Sequence, residues 1–125
     1  MQSVVNLDGL KVLVVEDDDM NYIYLSQIFK ITKGDITRAK TGASAMEIIE
    51  RETFDLILMD IQLPDTTGNE ITKWLRKKDI DVPVVAQTAS RSIEETEESI
   101  EAGCDKVLIK PFKIGDFSKV ISAVL

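Results

Sequence analysis

The stretch FDLILMDIQLPDTTG, Phe54 to Gly68, constrains the fold more than any other part of the chain. Phe54, Leu56, Ile57, Leu58, Met59 and Ile61 surround Asp60, and the run closes on Pro64 and a polar, glycine-containing turn. An apolar run this short reads as a buried strand. An aspartate at the end of such a strand is costly to bury alone, so it must emerge at the sheet end, meet a cation or be ion-paired. On position alone, Asp60 serves equally well as a cap for the turn that follows.

The rest of the chain repeats the unit. Lys11 to Val15 is a continuous apolar run that stops at Glu16, Asp17, Asp18 and Asp19. From Asp19 the periodicity turns helical, with Ile23, Leu25, Ile28, Phe29 and Ile31 supplying an apolar side, Asp18 or Asp19 placed to cap it and Gly34 breaking it. Asp35 to Ala39 is a weak short strand, and Ala45, Ile48 and Ile49 fit one face of a short helix after Thr41 and Gly42. The third strand spans Asp55 to Met59, and Asn69 to Lys77 is a helix with Ile71, Trp74 and Leu75 inward. Val82 to Gln87 is a strand that tolerates Pro83 at its start. Ser92 to Ala102 is the least apolar helix, with Ile93, Ile100 and Ala102 as its inward candidates and Gly103 as its stop. Lys106 to Ile109 is a fifth strand, cut by Lys110 and Pro111, and Ile114 to Leu125 is a helix striped by Phe117, Val120, Ile121 and Val124. Five βα units on short connections within 125 residues predict one α/β domain: a mostly parallel sheet with helices on both faces and right-handed crossovers.

Composition narrows the function classes. With 22 acidic and 15 basic residues the net charge is -7, which argues against a stand-alone nucleic-acid binder. Histidine is absent, so histidine acid-base chemistry and histidine metal sites are excluded. The single cysteine, Cys104, leaves no intramolecular disulfide and points to a cytoplasmic setting. No apolar run approaches a membrane span, and the N-terminal residues lack the pattern of a signal peptide.

In open parallel sheets the functional crevice lies outside the carboxyl ends of the strands. Four of those ends carry polar residues: Glu16 and Asp17, Asp60, Thr88 and Lys110. Singly, the acids are helix caps, Thr88 is a turn residue and Lys110 is a solvated lysine before proline. Together they have a common purpose. Clustered carboxylates repel unless a cation joins them, and an oxygen-only ligand set suits Mg²⁺. Asp60 would then be a nucleophile toward phosphorus, with Lys110, the Thr88 hydroxyl and the Ala89 amide placed to stabilise phosphoryl oxygens.

The motifs VVED with Asp18, LILMDIQLPDTTG, VVAQTA and EAGCDKVLIKPF, in this order and spacing, resemble the receiver domain of two-component response regulators from Leu10 to Leu125. The resemblance implies one receiver domain over residues 1–125, core 10–125, folded as a flavodoxin-like (βα)5 three-layer sandwich with its parallel five-stranded sheet in the order 2-1-3-4-5. It implies Asp60 as phosphoacceptor, Asp17 as a direct Mg²⁺ ligand, Glu16 as an acid acting through water and the Gln62 carbonyl as a further ligand, with Mn²⁺ able to substitute. Thr88 corresponds to the switch hydroxyl and Lys110 to the lysine that pairs with the phosphoryl group, its bond to Pro111 often cis. The implied partner is a sensor histidine kinase or a histidine phosphotransfer domain, whose phosphohistidine supplies the group that slow autodephosphorylation later removes. Neither nucleic acid nor membrane is contacted by such a domain, which is monomeric or weakly dimeric. The spelling QTA and the stretch NLDGLKVLVVEDDDMNYIYL are most similar to the C-terminal receivers of hybrid sensor histidine kinases. A partner would dock on Met20, Tyr22 and Ile23 and on the loop with Pro111 and Phe112.

Two departures from the family pattern stand out. The position three before the lysine, usually aromatic, is Val107, so ring rotation cannot couple Thr88 to the surface. The turn DTTG replaces a methionine-containing MDG, making the loop more polar, and the Gln62 side chain sits close enough to influence water attack. Competing classes fit less well. A haloacid-dehalogenase-like phosphohydrolase needs a second acid where Gln62 stands, and a flavodoxin-like cofactor binder needs a glycine-rich loop where EDDD stands. A docking module that works without phosphorylation remains the alternative reading.

Overall fold

The computed structural model describes residues 4–125; Met1 to Ser3 of the expected domain span lie outside them. Five strands alternate with five helices: β1 (Lys11–Val15), α1 (Asp19–Thr32), β2 (Asp35–Ala39), α2 (Gly42–Arg51), β3 (Leu56–Asp60), α3 (Gly68–Lys77), β4 (Val84–Thr88), α4 (Ile93–Ala102), β5 (Lys106–Ile109) and α5 (Ile114–Val124). All pairings are parallel, and the sheet runs β2-β1-β3-β4-β5, the flavodoxin-like order expected. Among the described residues no helix is long and apolar enough to cross a membrane.

Alternation along the buried strands divides the core in two. Val12, Val14, Leu56, Leu58, Val85 and Leu108 face α1 and α5, meeting Leu25, Ile28, Phe29, Phe117 and Ile121. Leu13, Val15, Ile57, Met59, Val84 and Ala86 face the other way, against Ala45 and Ile49 of α2 and Ile71 and Leu75 of α3. Both faces are covered, which is why β1, β3 and β4 read as apolar runs rather than alternating patterns.

Two strands sit slightly later than predicted. β3 begins at Leu56 and includes Asp60, and β4 begins after Pro83 and includes Thr88. Asp18, not Asp19, caps α1, its carboxylate accepting from the Met20 amide, while Asp19 turns to Arg38 at 2.9 Å. Ile23 and Ile31 of α1 are exposed, because the buried stripe runs Leu25, Ile28, Phe29, Thr32. The larger correction is α4. Ile93 and Ile100, expected inward, are 75% and 46% exposed, whereas Ser99 and Ala102 are buried. Residues seven apart share a helical face, and here that face points to solvent.

The β3–α3 loop is fixed from three sides. Thr67 caps α3, its hydroxyl accepting from the Glu70 amide at 3.2 Å. Asp65 reaches across to the start of α2, where its two oxygens accept from the amides of Gly42 at 2.8 Å and Ala43 at 3.0 Å. Gly68 lies against the main chain of Asp60, so a Cβ there would sit 2.3 Å from the Asp60 carbonyl oxygen and 2.7 Å from Met59. Because the obstacle is backbone, relief requires the loop or β3 to move. Gly68→Ala should therefore cost about 1–3 kcal/mol, visible as a lower urea midpoint with an unchanged m-value.

Candidate functional site

The carboxyl ends of β1, β3, β4 and β5 open onto one crevice of about 1060 Å³, lined by Asp17, Asp60, Gln62, Thr88 and Lys110 together with residues of α3 and α4. β1 and β3 are neighbours, so the acids that end them are brought side by side. Ligand oxygens of Glu16, Asp17 and Asp60 lie within 4.8 Å of one another. Lys110 extends from beyond β5 and places its ammonium 3.2 Å from Glu16 Oε1 and 3.5 Å from Asp60 Oδ2. Its bond to Pro111 is cis, and its own amide continues the ladder to the Thr88 carbonyl at 2.7 Å.

Each member has a different environment. Glu16 is fully buried, accepting from the Asn21 side chain and the Asp18 amide as well as from Lys110. Asp17 is exposed and Asp60 is 8% exposed. Burial pushes the Asp60 carboxyl up to about 7; the hydrogen bond and charge of Glu16 push the same way, against Lys110. Burial also opposes ionisation of Glu16, but its hydrogen bonds with Asp60 and Asn21 and the Lys110 charge outweigh it and hold Glu16 below the usual carboxylate range. Thr88 is nearly buried at the end of β4, its hydroxyl accepting from the Ser90 amide at 3.0 Å. Gln62 is exposed in the β3–α3 loop, with its amide donating to Asp60.

The donor set fits a hard divalent cation. It is all oxygen and carries surplus negative charge, and the exposure of Asp17 leaves room for retained waters. Glu16, Asp17 and Asp60 are the residues that would hold it.

The structure thus brings together every site residue expected from the sequence, Glu16, Asp17, Asp60, Gln62, Thr88 and Lys110. Four others lacked a sequence signal. Asn21 was hidden in the polar side of α1. Arg38, on an edge strand, donates to the Glu16 carbonyl at 3.0 Å, pairs with Asp19 and lies 4.4 Å over the Tyr22 ring. In the sequence Asp65 signals only loop polarity. Gln87 is fully buried, and neither side-chain polar atom has a partner among the described residues, an arrangement that costs about 1–3 kcal/mol. Of the expected docking surface, Met20, Ile23 and Pro111 are exposed, but Phe112 is core, stacked near Phe117 and beneath Tyr24, whose hydroxyl donates to the Phe112 carbonyl. Val107 is half-buried against the α2 and α3 side of the sheet.

A parallel five-stranded α/β sandwich with an acid cluster and a lysine across its central strand ends is the arrangement of a receiver domain. The family model for the response regulator receiver domain matches residues 12–122, and the chain belongs to that family. Among its relatives is the polar-differentiation response regulator DivK of Brucella anthropi, 33% identical over 116 residues, covering 91% of this chain and 94% of that protein. The receiver domain of the Francisella response regulator 1452 superposes with a TM-score of 0.86 at 31% identity, covering 93% and 96% of the two chains. The receiver domain of the sensor histidine kinase PA1611 of Pseudomonas aeruginosa PAO1, which has a magnesium ion in its active-site cleft, gives a TM-score of 0.85 at 29% identity, covering 93% and 97%.

Asp60→Asn replaces a buried acid in a like-charged cluster by a neutral group of the same shape. In chelator-treated protein at pH 8 it should raise Tm by several degrees, the shift that about 1 kcal/mol produces in a domain of this size. Asp65 provides a pH test. Its hydrogen bonds to Gly42 and Ala43 hold its carboxyl below the ordinary 3.8. Its contribution is therefore present above about pH 4 and is lost as pH falls through the folded value. Asp65→Asn should lower the urea midpoint at pH 7, and the difference from wild type should close as both are acidified.

Proposed function

We propose that this receiver domain takes a phosphoryl group from a phosphohistidine of a sensor kinase or phosphotransfer protein onto Asp60. The observation that carries the reading is the position of the Lys110 ammonium, 3.2 Å from Glu16 and 3.5 Å from Asp60 at the mouth of an acid cluster. A carboxylate oxygen of Asp60 attacks phosphorus, the P–N bond to the donor imidazole breaks, and the electron pair stays with the imidazole. Incoming negative charge is the main obstacle, and Lys110 is free to leave Glu16 for a phosphoryl oxygen because Glu16 keeps Asn21 as a partner. Thr88 and the Ala89 amide stand at the crevice wall to donate to another oxygen. Glu16, Asp17, Asp60 and the Gln62 carbonyl would hold Mg²⁺ or Mn²⁺, which supplies charge neutralisation and a template for in-line transfer. Water attack on the acyl phosphate then returns the resting domain. Support for this over a pure docking module comes from the complete constellation, and over a phosphohydrolase from Gln62, whose side chain offers no acid.

The test is intact-mass analysis after incubation with a small-molecule phosphodonor and Mg²⁺. Wild type should gain one acid-labile phosphoryl group, lost with chelator and absent in Asp60→Asn. Lys110→Ala should reduce the yield by an order of magnitude or more, since a charge-assisted contact to the transferring group is removed. Absence of any adduct in wild type across donors and metals would sink the reading.

A further inference from the structure

On the α1 and α5 face of the sheet, Glu16 continues the alternation of Val12 and Val14, Asp60 that of Leu56 and Leu58, and Gln87 that of Val85. Val15 pairs with Met59 and Asp60 with Gln87. Glu16, Asp60 and Gln87 therefore form a transverse row, about 4.8 Å from strand to strand. Gln87 pairs in turn with Leu108 of β5, two residues before Lys110. To reach Asp60 and Glu16, the Lys110 side chain must pass the carboxyl end of β4, the strand that carries Gln87. By register, the Gln87 side chain thus leaves β4 on the same face as Asp60 on the neighbouring strand.

This amide is fully buried, lines the crevice and leaves both Oε1 and Nε2 without a partner among the described residues. An apolar side chain of the same length would fill the place at lower cost, so the resting packing gives no reason for a carboxamide. The neighbours supply one. A group that donates on one side and accepts on the other matches an oxygen of Asp60 and the ammonium of Lys110.

We propose that Gln87 is a positioning residue for the charged site, a role that rests on Asp60 being the phosphoacceptor. Nε2 donates to the Asp60 oxygen that remains the acyl carbonyl once phosphorus is attached to the other oxygen. Oε1 accepts from Lys110 as its ammonium turns from Glu16 to the phosphoryl oxygens. The carboxamide holds the two partners in the relative position that the acyl phosphate requires, and its hydrogen bonds are made in that state alone.

Gln87→Met and Gln87→Leu test the proposal, with beryllofluoride plus Mg²⁺ as the probe for the charged state. Relative to wild type, both variants should have an equal or higher Tm in chelator but a smaller Tm rise on adding the probe, with beryllofluoride affinity weakened about tenfold, the loss expected for one charge-assisted hydrogen bond. In wild type labelled with ¹⁵N-glutamine, the Gln87 side-chain amide resonances should move downfield with beryllofluoride and Mg²⁺ and stay in place with Mg²⁺ alone. A variant whose Tm falls equally in both conditions, with affinity unchanged, would show that the amide is only structural and overturn the proposal. Unmoved Gln87 amide resonances in a wild type that does bind the probe would overturn it without recourse to a variant. A wild type that neither binds the probe nor accepts phosphate would instead remove the phosphoacceptor reading, and this proposal with it.

Discussion

The pairing of Lys110 with a fully buried Glu16 governs how the carboxyl end of this sheet is built. A carboxylate with no exposure cannot remain ionised without a partner. Here the partner arrives from two strands beyond β3, across the sheet, while Asn21 supplies a second hydrogen bond from the first turn of α1. With Glu16 satisfied, one lysine faces three acids, and the surplus negative charge is left on Asp60 and Asp17 at the crevice mouth. The site is therefore held in tension by charge: stable enough to fold, and open at its mouth to a cation. A Glu16 that depended on Lys110 alone could not release it.

Loop placement is the second constraint, and it comes from groups with little burial. Asp65 binds the first two amides of α2, Thr67 caps α3, and Gly68 lets the chain press against the Asp60 carbonyl. The turn spelled DTTG is thus a set of hydrogen-bonding devices. Where the family pattern has a methionine there, this chain has Thr66, whose methyl group packs toward Gly42. Loop order follows from helix termini needing acceptors, a demand that any α/β sandwich contains.

Much of the fold was legible because β1, β3 and β4 are buried on both faces and so read as unbroken apolar runs. The site was legible because parallel strands deliver their carboxyl ends to one edge, so topology alone groups Glu16, Asp17, Asp60, Thr88 and Lys110. What escaped prediction depended on pairings between distant segments. Nothing local distinguishes Asp65 as a cap for α2, or Arg38 as a clamp on the β1–α1 loop. Gln87 lies within the VVAQTA motif, yet its burial follows only from its register with Asp60 and Leu108. The inward placing of Ile93 and Ile100 in α4 failed for a different reason. Its isoleucines are its most apolar residues, but the helix seats itself on Ser99 and Ala102 because small side chains allow close approach.

That seating has a mechanical consequence. α4 hangs between the Thr88 loop and Gly103, whose left-handed backbone ends the helix beside the Arg76 side chain. With only a serine and an alanine buried, it contributes little apolar area to the interior, and sliding it over the sheet forfeits few dispersion contacts. Of the five helices it buries the fewest apolar side chains. Its exposed isoleucines would travel with it, so any displacement of α4 would be registered at the surface as a movement of apolar groups.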